Sequence, residues 1–344
     1  MKLALQLGYW TAQPPTGVPE RILEAERLGY DIVFTAESWG NDAFTPLAWY
    51  ASQTSKIRLG TSIVQISARP PTTTAAAAIT MDHLSNGRFV LGLGVSGPQV
   101  VEGWYGQPFG KPLARTREYI DIVRQVFARQ GPVTSDGPFY PLPYHGDGAL
   151  GLGKALKPIV HARNAELPIW MGAEGPKNVA LTAEVADGWL PIYFSPRVAE
   201  TYKAWLAEGF ARRTRPMPET FEIATNAQVV VTDDPNDTIQ SMKGMLGFYI
   251  GGMGAKDMNF HKEVFARMGY ATEVQEVQDL FFAGERDKAI AAVPDRLVTD
   301  ISIIGSKAKI RDDLARWEEA GVTMLVVGAQ NLDQLRTTAE AVLG

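Results

Sequence analysis

The sequence contains no cysteine, and several other shortages narrow the kind of protein it encodes. Without cysteine, its 344 residues cannot form disulfides, provide a catalytic thiolate or bind zinc and iron–sulfur clusters through sulfur. No uninterrupted run of about 20 apolar residues is available to span a bilayer. The apolar N-terminal stretch is interrupted at Gln6 and lacks a small-residue cleavage site, which is typical of a first strand rather than a signal peptide. We therefore expect a cytoplasmic protein without a membrane partner.

Basic blocks and clustered histidines are missing as well. The formal net charge is −5 and no lysine- or arginine-rich segment occurs, which argues against a nucleic-acid partner. The four histidines, at positions 83, 145, 161 and 261, show neither H-x-H nor H-E-x-x-H spacing, so we predict no metal site. No complete G-x-S-x-G motif is present for a serine nucleophile.

The chain does contain a regular alternation of short apolar runs and amphipathic stretches. With 45% hydrophobic residues, it has enough apolar material for a large core. The predicted strands cover residues 2–10, 31–37, 57–67, 88–94, 168–175, 187–193, 221–232 and 322–329. Helical material follows each of them, which favours parallel strands with crossover helices. We predict an α/β fold: a (β/α)8 TIM barrel forming a single domain over residues 1–344.

Two segments exceed a minimal barrel. Residues 131–167, after strand four, are rich in glycine and proline and are predicted to form a long ordered loop. Residues 236–300, after strand seven, are predicted to be mostly helical. Insertions that follow barrel strands emerge at the face that carries the active site, so both are candidate walls or lids.

One stretch, "GRFVLGLGVSG" at 87–97, contains the G-x-G-x-x-G spacing of a dinucleotide-binding turn. That fingerprint should follow the first strand, open a substantial helix and be followed by an acid at the end of the next strand. Here it follows strand four, Gly103 and Gly106 prevent a long helix, and the acid at a suitable distance, Glu118, lies on a predicted helix. The spacing therefore does not favour a Rossmann domain.

The physical attraction of these glycines for an anion is independent of the Rossmann fold. Glycines at a strand end let backbone N–H groups approach a phosphate, and a following helical turn adds a favourable dipole. A second such loop is "GAEGPKN" at 172–178, where Lys177 adds a cation and Asn178 a donor. The two loops together favour an anion site at the barrel mouth. The alternative is that the glycines only make tight turns.

Four stretches resemble a known family: "AERLGYDIVFTAES" at 25–38, "MDHLSNGRFVLGLGVSG" at 81–97, "GAEGPKNVALTAEVADGW" at 172–189 and "AGVTMLVV" at 320–327. They resemble the bacterial luciferase-like superfamily, and within it the coenzyme F420-dependent oxidoreductases. The resemblance implies a (β/α)8 barrel that transfers a hydride between the deazaflavin and a small organic substrate at the C-terminal mouth. An FMN-dependent monooxygenase and a non-catalytic cofactor-binding homologue are the alternatives. A homodimer is also implied.

The resemblance further implies specific cofactor contacts on strands two and three. A bulge in "GTSIVQ", with a cis bond between Ser62 and Ile63, would support the central ring, and Gln65 would reach its polar edge. Glu37 matches the acid that ends strand two and is our candidate catalytic residue as well as a cofactor contact. Ser38 replaces the histidine usual at the next position, which puts any proton-transfer role of that histidine in doubt.

The two glycine loops would hold the phosphate of the cofactor tail. By the same resemblance, backbone amides of Ser96 and Gly97 would contact it from one loop. The residues Glu174, Gly175 and Pro176 would do so from the other. Aromatic residues near the strand ends could wall the substrate pocket: Tyr9, Trp10, Trp39, Trp104, Tyr105, Tyr193 and Phe194.

Overall fold

The computed structural model describes residues 1–254 and 256–344. Its strands are β1 Lys2–Gln6, β2 Ile32–Thr35, β3 Arg58–Thr61, β4 Val64–Gln65, β5 Phe89–Gly94, β6 Ile169–Met171, β7 Gly188–Trp189, β8 Glu222–Asn226, β9 Val229–Val231, β10 Ile303–Gly305 and β11 Met324–Gly328.

The α-helices are α1 Val18–Leu28, α2 Phe44–Ala51, α3 Pro71–Leu84, α4 Pro98–Gly103, α5 Pro112–Ala128, α6 Pro176–Val185, α7 Ala199–Arg212, α8 Asn236–Gly251, α9 Phe260–Phe265, α10 Ala271–Phe282, α11 Arg286–Ala292, α12 Asp295–Asp300, α13 Lys307–Glu319 and α14 Leu332–Val342. A 3₁₀ turn covers Pro196–Val198 and a π-helical turn covers Ala266–Tyr270.

Eight parallel strands close into a barrel, which confirms the predicted α/β class and TIM-barrel architecture. Around the barrel the order is β3, β2, β1, β11, β8, β7, β6 and β5, and the pairing of β5 with β3 closes it. The β4 strand continues β3 after a two-residue interruption and pairs with β5. Because all strands run the same way, their carboxyl ends meet at one mouth.

Apolar side chains fill the barrel interior. Phe34 and Trp170 lie with their ring centroids 6.0 Å apart, and they cluster with residues such as Ala4, Val90 and Met324. Gly188 is required beside them, because a Cβ there would lie 2.7 Å from the Trp170 ring. A second, larger core lies between the strands and the surrounding helices. The barrel is therefore closed below the mouth by packed side chains, and a ligand can enter only above them.

Strand seven differs from the prediction. The expected single strand over 221–232 is divided into β8, which belongs to the barrel, and β9, which pairs in parallel with β10 in a separate two-stranded sheet. We predicted no strand at β10. Its three buried residues lie beyond the helical insertion, and their pairing with β9 is a long-range contact that periodicity does not reveal.

The two insertions have the predicted secondary structure. Within 131–167 no helix or extended strand occurs, and a single bridge joins Ser135 to Leu142. Residues 236–300 contain α8 to α12, with a hydrophobic core that includes Leu246, Phe265 and Val274. Tyr193, in the segment that follows β7, packs in that same core, which ties the helical insertion to the barrel mouth.

Within residues 1–254 and 256–344, no helix combines the length and the apolar character that crossing a membrane requires. The cytoplasmic location stays a prediction.

Candidate active site

A cavity of about 910 Å³ opens at the carboxyl ends of the barrel strands. All ten predicted site residues line it: Glu37, Ser38, Ser62, Ile63, Gln65, Ser96, Gly97, Glu174, Gly175 and Pro176. Of the predicted aromatic residues, Tyr9, Trp39 and Tyr193 line the cavity, whereas Trp10, Trp104, Tyr105 and Phe194 do not. The volume is near the upper end of the usual range for small-molecule sites, so there is room for a cofactor and a second molecule.

Strand three is interrupted at the predicted bond. The Ser62–Ile63 peptide is cis, and β4 begins directly after it. The side chain of Ile63 lies against β5 and β6, because a Cβ on Gly94 would be 2.7 Å from it and one on Gly172 would be 3.3 Å from it. The glycines in these two strands thus make room for the bulge, which projects Ile63 into the mouth.

The three glycines of the G-x-G-x-x-G stretch have different environments. A Cβ on Gly92 would lie 1.8 Å from the backbone oxygen of Thr61, so this glycine allows β5 to pack against β3. A Cβ on Gly97 would approach only the flexible end of Gln99, at 3.1 Å. Between them Ser96 has a positive φ of 59°. Gly97 is therefore the glycine that leaves its backbone accessible from the cavity.

The second loop is similarly open. Gly175 precedes α6, and a Cβ there would meet nothing within 4 Å. Asn178, in the first turn of α6, has a buried Oδ1 atom with no hydrogen-bond partner within the described residues. Lys177 is exposed beside it and also lines the cavity. The loops of Gly97 and Gly175 line the same cavity, so their glycines, the helix start and one cation can act on one anionic group.

Glu37 is almost completely buried and is held from several sides. Arg69 binds it in a bidentate pair, with N–O distances of 2.8 and 2.9 Å. The backbone N–H groups of Gln65 and Ala43 donate to its two oxygens at 2.9 and 3.3 Å. Since these bonds satisfy both carboxylate oxygens, Glu37 is better suited to fixing the bulged strand than to exchanging protons. The catalytic role stays a prediction, and these contacts argue for a positioning role.

Gln65 and Ser38 occupy the neighbouring wall. The amide nitrogen of Gln65 donates to the backbone oxygen of Glu37 at 3.1 Å. Its Oε1 atom is buried and has no partner within the parts of the chain described. The hydroxyl of Tyr105 donates to the backbone oxygen of Ser38 at 3.1 Å from behind the cavity. An unpartnered acceptor therefore faces the region where the resemblance expects the polar edge of a ring.

Glu174 differs from Glu37, since it has no ion pair among the residues that the structure describes. One of its oxygens accepts a hydrogen bond from the backbone N–H of Ile192 at 2.8 Å. Burial raises its pKa to about 8, while that hydrogen bond and the charge of Arg267 oppose the rise. The side chain is therefore mostly protonated at neutral pH, and it does not repel an anion bound beside it.

The helical insertion at 236–300 contributes to the cavity wall, as expected, whereas no residue of 131–167 lines the cavity, and the individual insertion residues were not predicted. Tyr249 on α8, His261 on α9 and Arg267 in the π-helical turn all line the cavity. The spacing of the histidines indicates no metal site, and nothing else in the sequence indicates that His261 lies at the cavity. Only the long-range packing of the insertion on the barrel mouth brings it to the site. No cluster of metal-ligating side chains occurs among the described residues.

The family described as luciferase-like monooxygenase matches residues 4–324. This chain belongs to that family. A protein of Mycobacterium tuberculosis named as a coenzyme F420-dependent oxidoreductase is 60% identical over 343 residues, 99% of each chain. The match places the chain among the enzymes of the family.

Two solved structures have the same fold. The coenzyme F420-dependent tetrahydromethanopterin reductase of Methanopyrus kandleri superposes with a TM-score of 0.79 at 23% identity, over 99% of this chain and 98% of that one. An F420-dependent secondary alcohol dehydrogenase, in complex with an F420-acetone adduct, superposes with a TM-score of 0.73 at 18% identity, over 99% of both chains. At these identities the similarity establishes the fold.

Proposed function

We propose that this chain is an F420-dependent oxidoreductase that transfers a hydride between the deazaflavin and an organic substrate at the barrel mouth. The observation that carries the proposal is the pair of open glycine loops, at Gly97 and Gly175, on the same cavity as the Ile63 bulge. The name of the M. tuberculosis relative, 60% identical over almost the whole chain, supports the choice of cofactor.

The residues present fit such a cofactor. Gly97 and Gly175 leave space where a Cβ would otherwise stand, so their N–H groups would hold the phosphate of its tail, with Ser96 and the Pro176 turn beside them. The unpartnered Oε1 atom of Gln65 and the side chain of Ile63 would support the ring system. When bound, the deazaflavin supplies a two-electron carrier that gives or accepts a hydride.

The chain's own part in the reaction is positioning and exclusion of water. Arg69 fixes Glu37, Glu37 fixes the backbone of Gln65, and the bulged strand is thereby held at the cavity wall. Protonated Glu174 adds no negative charge beside the anionic tail. Tyr9, Trp39 and Tyr193 cover the mouth with apolar surface, which keeps the reacting atoms away from water.

Optical titration of the purified chain with F420 and, separately, with FMN tests this proposal. We expect micromolar binding of F420 and at least tenfold weaker binding of FMN. Gly97→Val, which projects a branched side chain into the loop, should weaken F420 binding at least tenfold. Gly103→Val, away from the cavity, should leave it unchanged. Preferential binding of FMN would favour the monooxygenase alternative, and binding of neither would refute the proposal.

We also propose that two copies of the chain associate through the loop at 131–167. It exposes Leu150 and Ile159 by 88% and 91%, with Leu152 and Leu156 also exposed nearby. Apolar groups concentrated on one exposed segment are unusual on a monomer. Sedimentation velocity should give a dimer for the wild type and a monomer for Leu150→Asp/Ile159→Asp, while Trp49→Asp on exposed α2 stays dimeric. A wild type that is monomeric at every concentration would contradict this.

A further inference from the structure

The helical insertion gives the cavity a second wall, whose chemistry differs from that of the barrel. The barrel contributes hydroxyl, amide and carboxyl groups, among them Ser62, Gln65, Ser96 and Glu174. The insertion contributes mainly methionine and aromatic side chains: Met242, Met245, Met253, Met258 and Phe260. Methionine side chains adapt to apolar partners of different shapes. The barrel wall therefore suits a polar cofactor, and the insertion wall suits a mostly apolar molecule.

His261 lies within this apolar wall and is held firmly in place. Asn259 caps α9 by accepting from the N–H of Lys262 at 3.0 Å. Its amide donates to the backbone oxygens of Tyr249 and Ile250 at 3.0 and 2.7 Å, which fastens α9 to the end of α8. The imidazole then packs edge-on against Tyr249, with ring centroids 4.9 Å apart. The ring is positioned before any ligand arrives.

The hydrogen-bonding capacity of the His261 ring is unused. The Nδ1 atom is buried and has no partner in the described residues, and no hydrogen bond from Nε2 is present there either. Burial lowers the pKa of the ring to about 4, so the imidazole is neutral at pH 7. A buried N–H without a partner is rarer in proteins than a buried acceptor without one. The proton therefore belongs on Nε2, the nitrogen that can face the cavity.

Among the described residues of this wall, Arg267 is the charged side chain that lines the cavity, and it has a carboxylate neighbour. The guanidinium of Arg267 lies 3.7 Å from the carboxylate of Glu263. Glu174, on the barrel wall, forms no ion pair within the described residues. Beside this guanidinium, the described part of the wall carries two neutral hydrogen-bond donors in apolar surroundings, the imidazole of His261 and the hydroxyl of Tyr249, an arrangement that suits an acceptor on an otherwise apolar molecule.

We propose that the insertion wall binds the substrate, and that the Nε2–H group of His261 donates a hydrogen bond to the carbonyl oxygen of an uncharged, largely apolar ketone or aldehyde. This inference rests on the proposed function, since it defines the substrate side of the same site.

Calorimetric titration of the full chain with two matched ligands tests the substrate class. We use 2-nonanone and nonanoate, which have the same chain length but differ in charge. The wild type should bind 2-nonanone at least tenfold more tightly than nonanoate. Equal or tighter binding of nonanoate would overturn the proposal, because it would show that the guanidinium of Arg267 selects a charged molecule.

Variants test the role of the imidazole. His261→Phe keeps an aromatic ring without a donor and should weaken 2-nonanone binding about tenfold, the usual effect of losing one hydrogen bond. His261→Gln keeps a donor and should stay within about threefold of the wild type. The control is His83→Phe, since the Nε2 atom of His83 meets the backbone oxygen of His161 outside the cavity. Unchanged ketone binding in His261→Phe would refute the contact.

A spectroscopic measurement tests the tautomer of His261 without any ligand. Long-range ¹H–¹⁵N spectra of histidine-labelled protein at pH 7 should show the Nε2–H tautomer for the signal that His261→Gln removes. The Nδ1–H tautomer would contradict the proposal.

F420 titration of the same variants separates the proposed substrate contact from the proposed function. Intact F420 binding with no ketone preference refutes only the substrate contact. Ketone preference without F420 binding refutes only the cofactor assignment.

Discussion

Replacement of Glu174 by glutamine should stabilise the protein, and increasingly so as the pH rises. Burial raises the pKa of this carboxyl group from 4.5 to about 8. In the unfolded chain the group loses its proton near its ordinary pKa, whereas in the folded protein it keeps the proton until about pH 8. Between these values the folded state binds more protons, so the free energy of unfolding falls as the pH rises. Because glutamine cannot ionise, the Glu174→Gln variant does not lose this stability as the pH rises.

The magnitude follows from the two pKa values. Each pH unit between 4.5 and 8 contributes about 1.4 kcal/mol, which sets a ceiling of about 5 kcal/mol on the advantage of Glu174→Gln. Buried charges are partly relieved by relaxation and water entry, so we expect about 2–3 kcal/mol. The substituted amide retains an oxygen that can accept from the N–H of Ile192, now bound at 2.8 Å. Below about pH 5 the two proteins should be nearly equally stable.

Urea denaturation at pH 5, 6, 7, 8 and 9, followed by tryptophan fluorescence, measures this difference. The control is Glu184→Gln, because ion pairs with Arg117 and Arg212 lower the pKa of Glu184. That variant should be less stable than the wild type by a nearly constant amount from pH 5 to 9, because the ion-paired carboxyl of Glu184 stays ionised over this range. A constant difference between Glu174→Gln and the wild type across the series would refute the reasoning.

Three further predictions concern packing and cooperativity. Gly92→Ala should destabilise the protein by about 3 kcal/mol or more in urea denaturation, because its Cβ would lie 1.8 Å from the Thr61 backbone oxygen. Gly110→Ala, with nothing within 4 Å, should cost less than about 1 kcal/mol, and equal losses would contradict the packing argument. Arg69→Met should cost about 3–5 kcal/mol by leaving the Glu37 carboxylate unpaired, and Arg69→Met/Glu37→Gln should recover part of that loss. If the chain is one domain, as we propose, far-ultraviolet circular dichroism and tryptophan fluorescence should follow one coincident unfolding transition, and two separated transitions would refute it.

The barrel and its mouth could be predicted because their signals are local. Each strand is a short apolar run, and each mouth residue stands directly after one, so the order of elements already brings Glu37, Ser96 and Glu174 to one face. The prediction of an interruption at Ser62–Ile63 rested on resemblance to a family, since nothing in "GTSIVQ" alone indicates a break in the strand. Strand β10 was not predicted from the sequence, because only its pairing with β9 identifies it as a strand.

The glycine stretch shows a different limit of sequence analysis. The G-x-G-x-x-G spacing does not distinguish Gly92 from Gly97. Gly92, however, is needed for contact between two strands, whereas Gly97 leaves an opening to the cavity. The distinction depends on what faces each missing Cβ, which is Thr61 in one case and the end of Gln99 in the other. A motif can therefore indicate that backbone must approach something closely, but only tertiary contacts decide whether that partner is protein or ligand.

The two walls of the cavity illustrate why the barrel wall was easier to predict than the insertion wall. The barrel wall is built from strand ends, whose positions follow from the fold class. The insertion wall depends on how α8 and α9 pack over the mouth, which is fixed by contacts such as Tyr193 with Phe265, at 4.6 Å between ring centroids. His261 reaches the cavity only through this packing, since Tyr193, which it contacts, lies more than 60 residues earlier in the chain. Under our proposal, substrate specificity depends on an element that can change without altering the barrel, so the family resemblance bears on the cofactor, whereas the substrate has to be inferred from the insertion's own side chains.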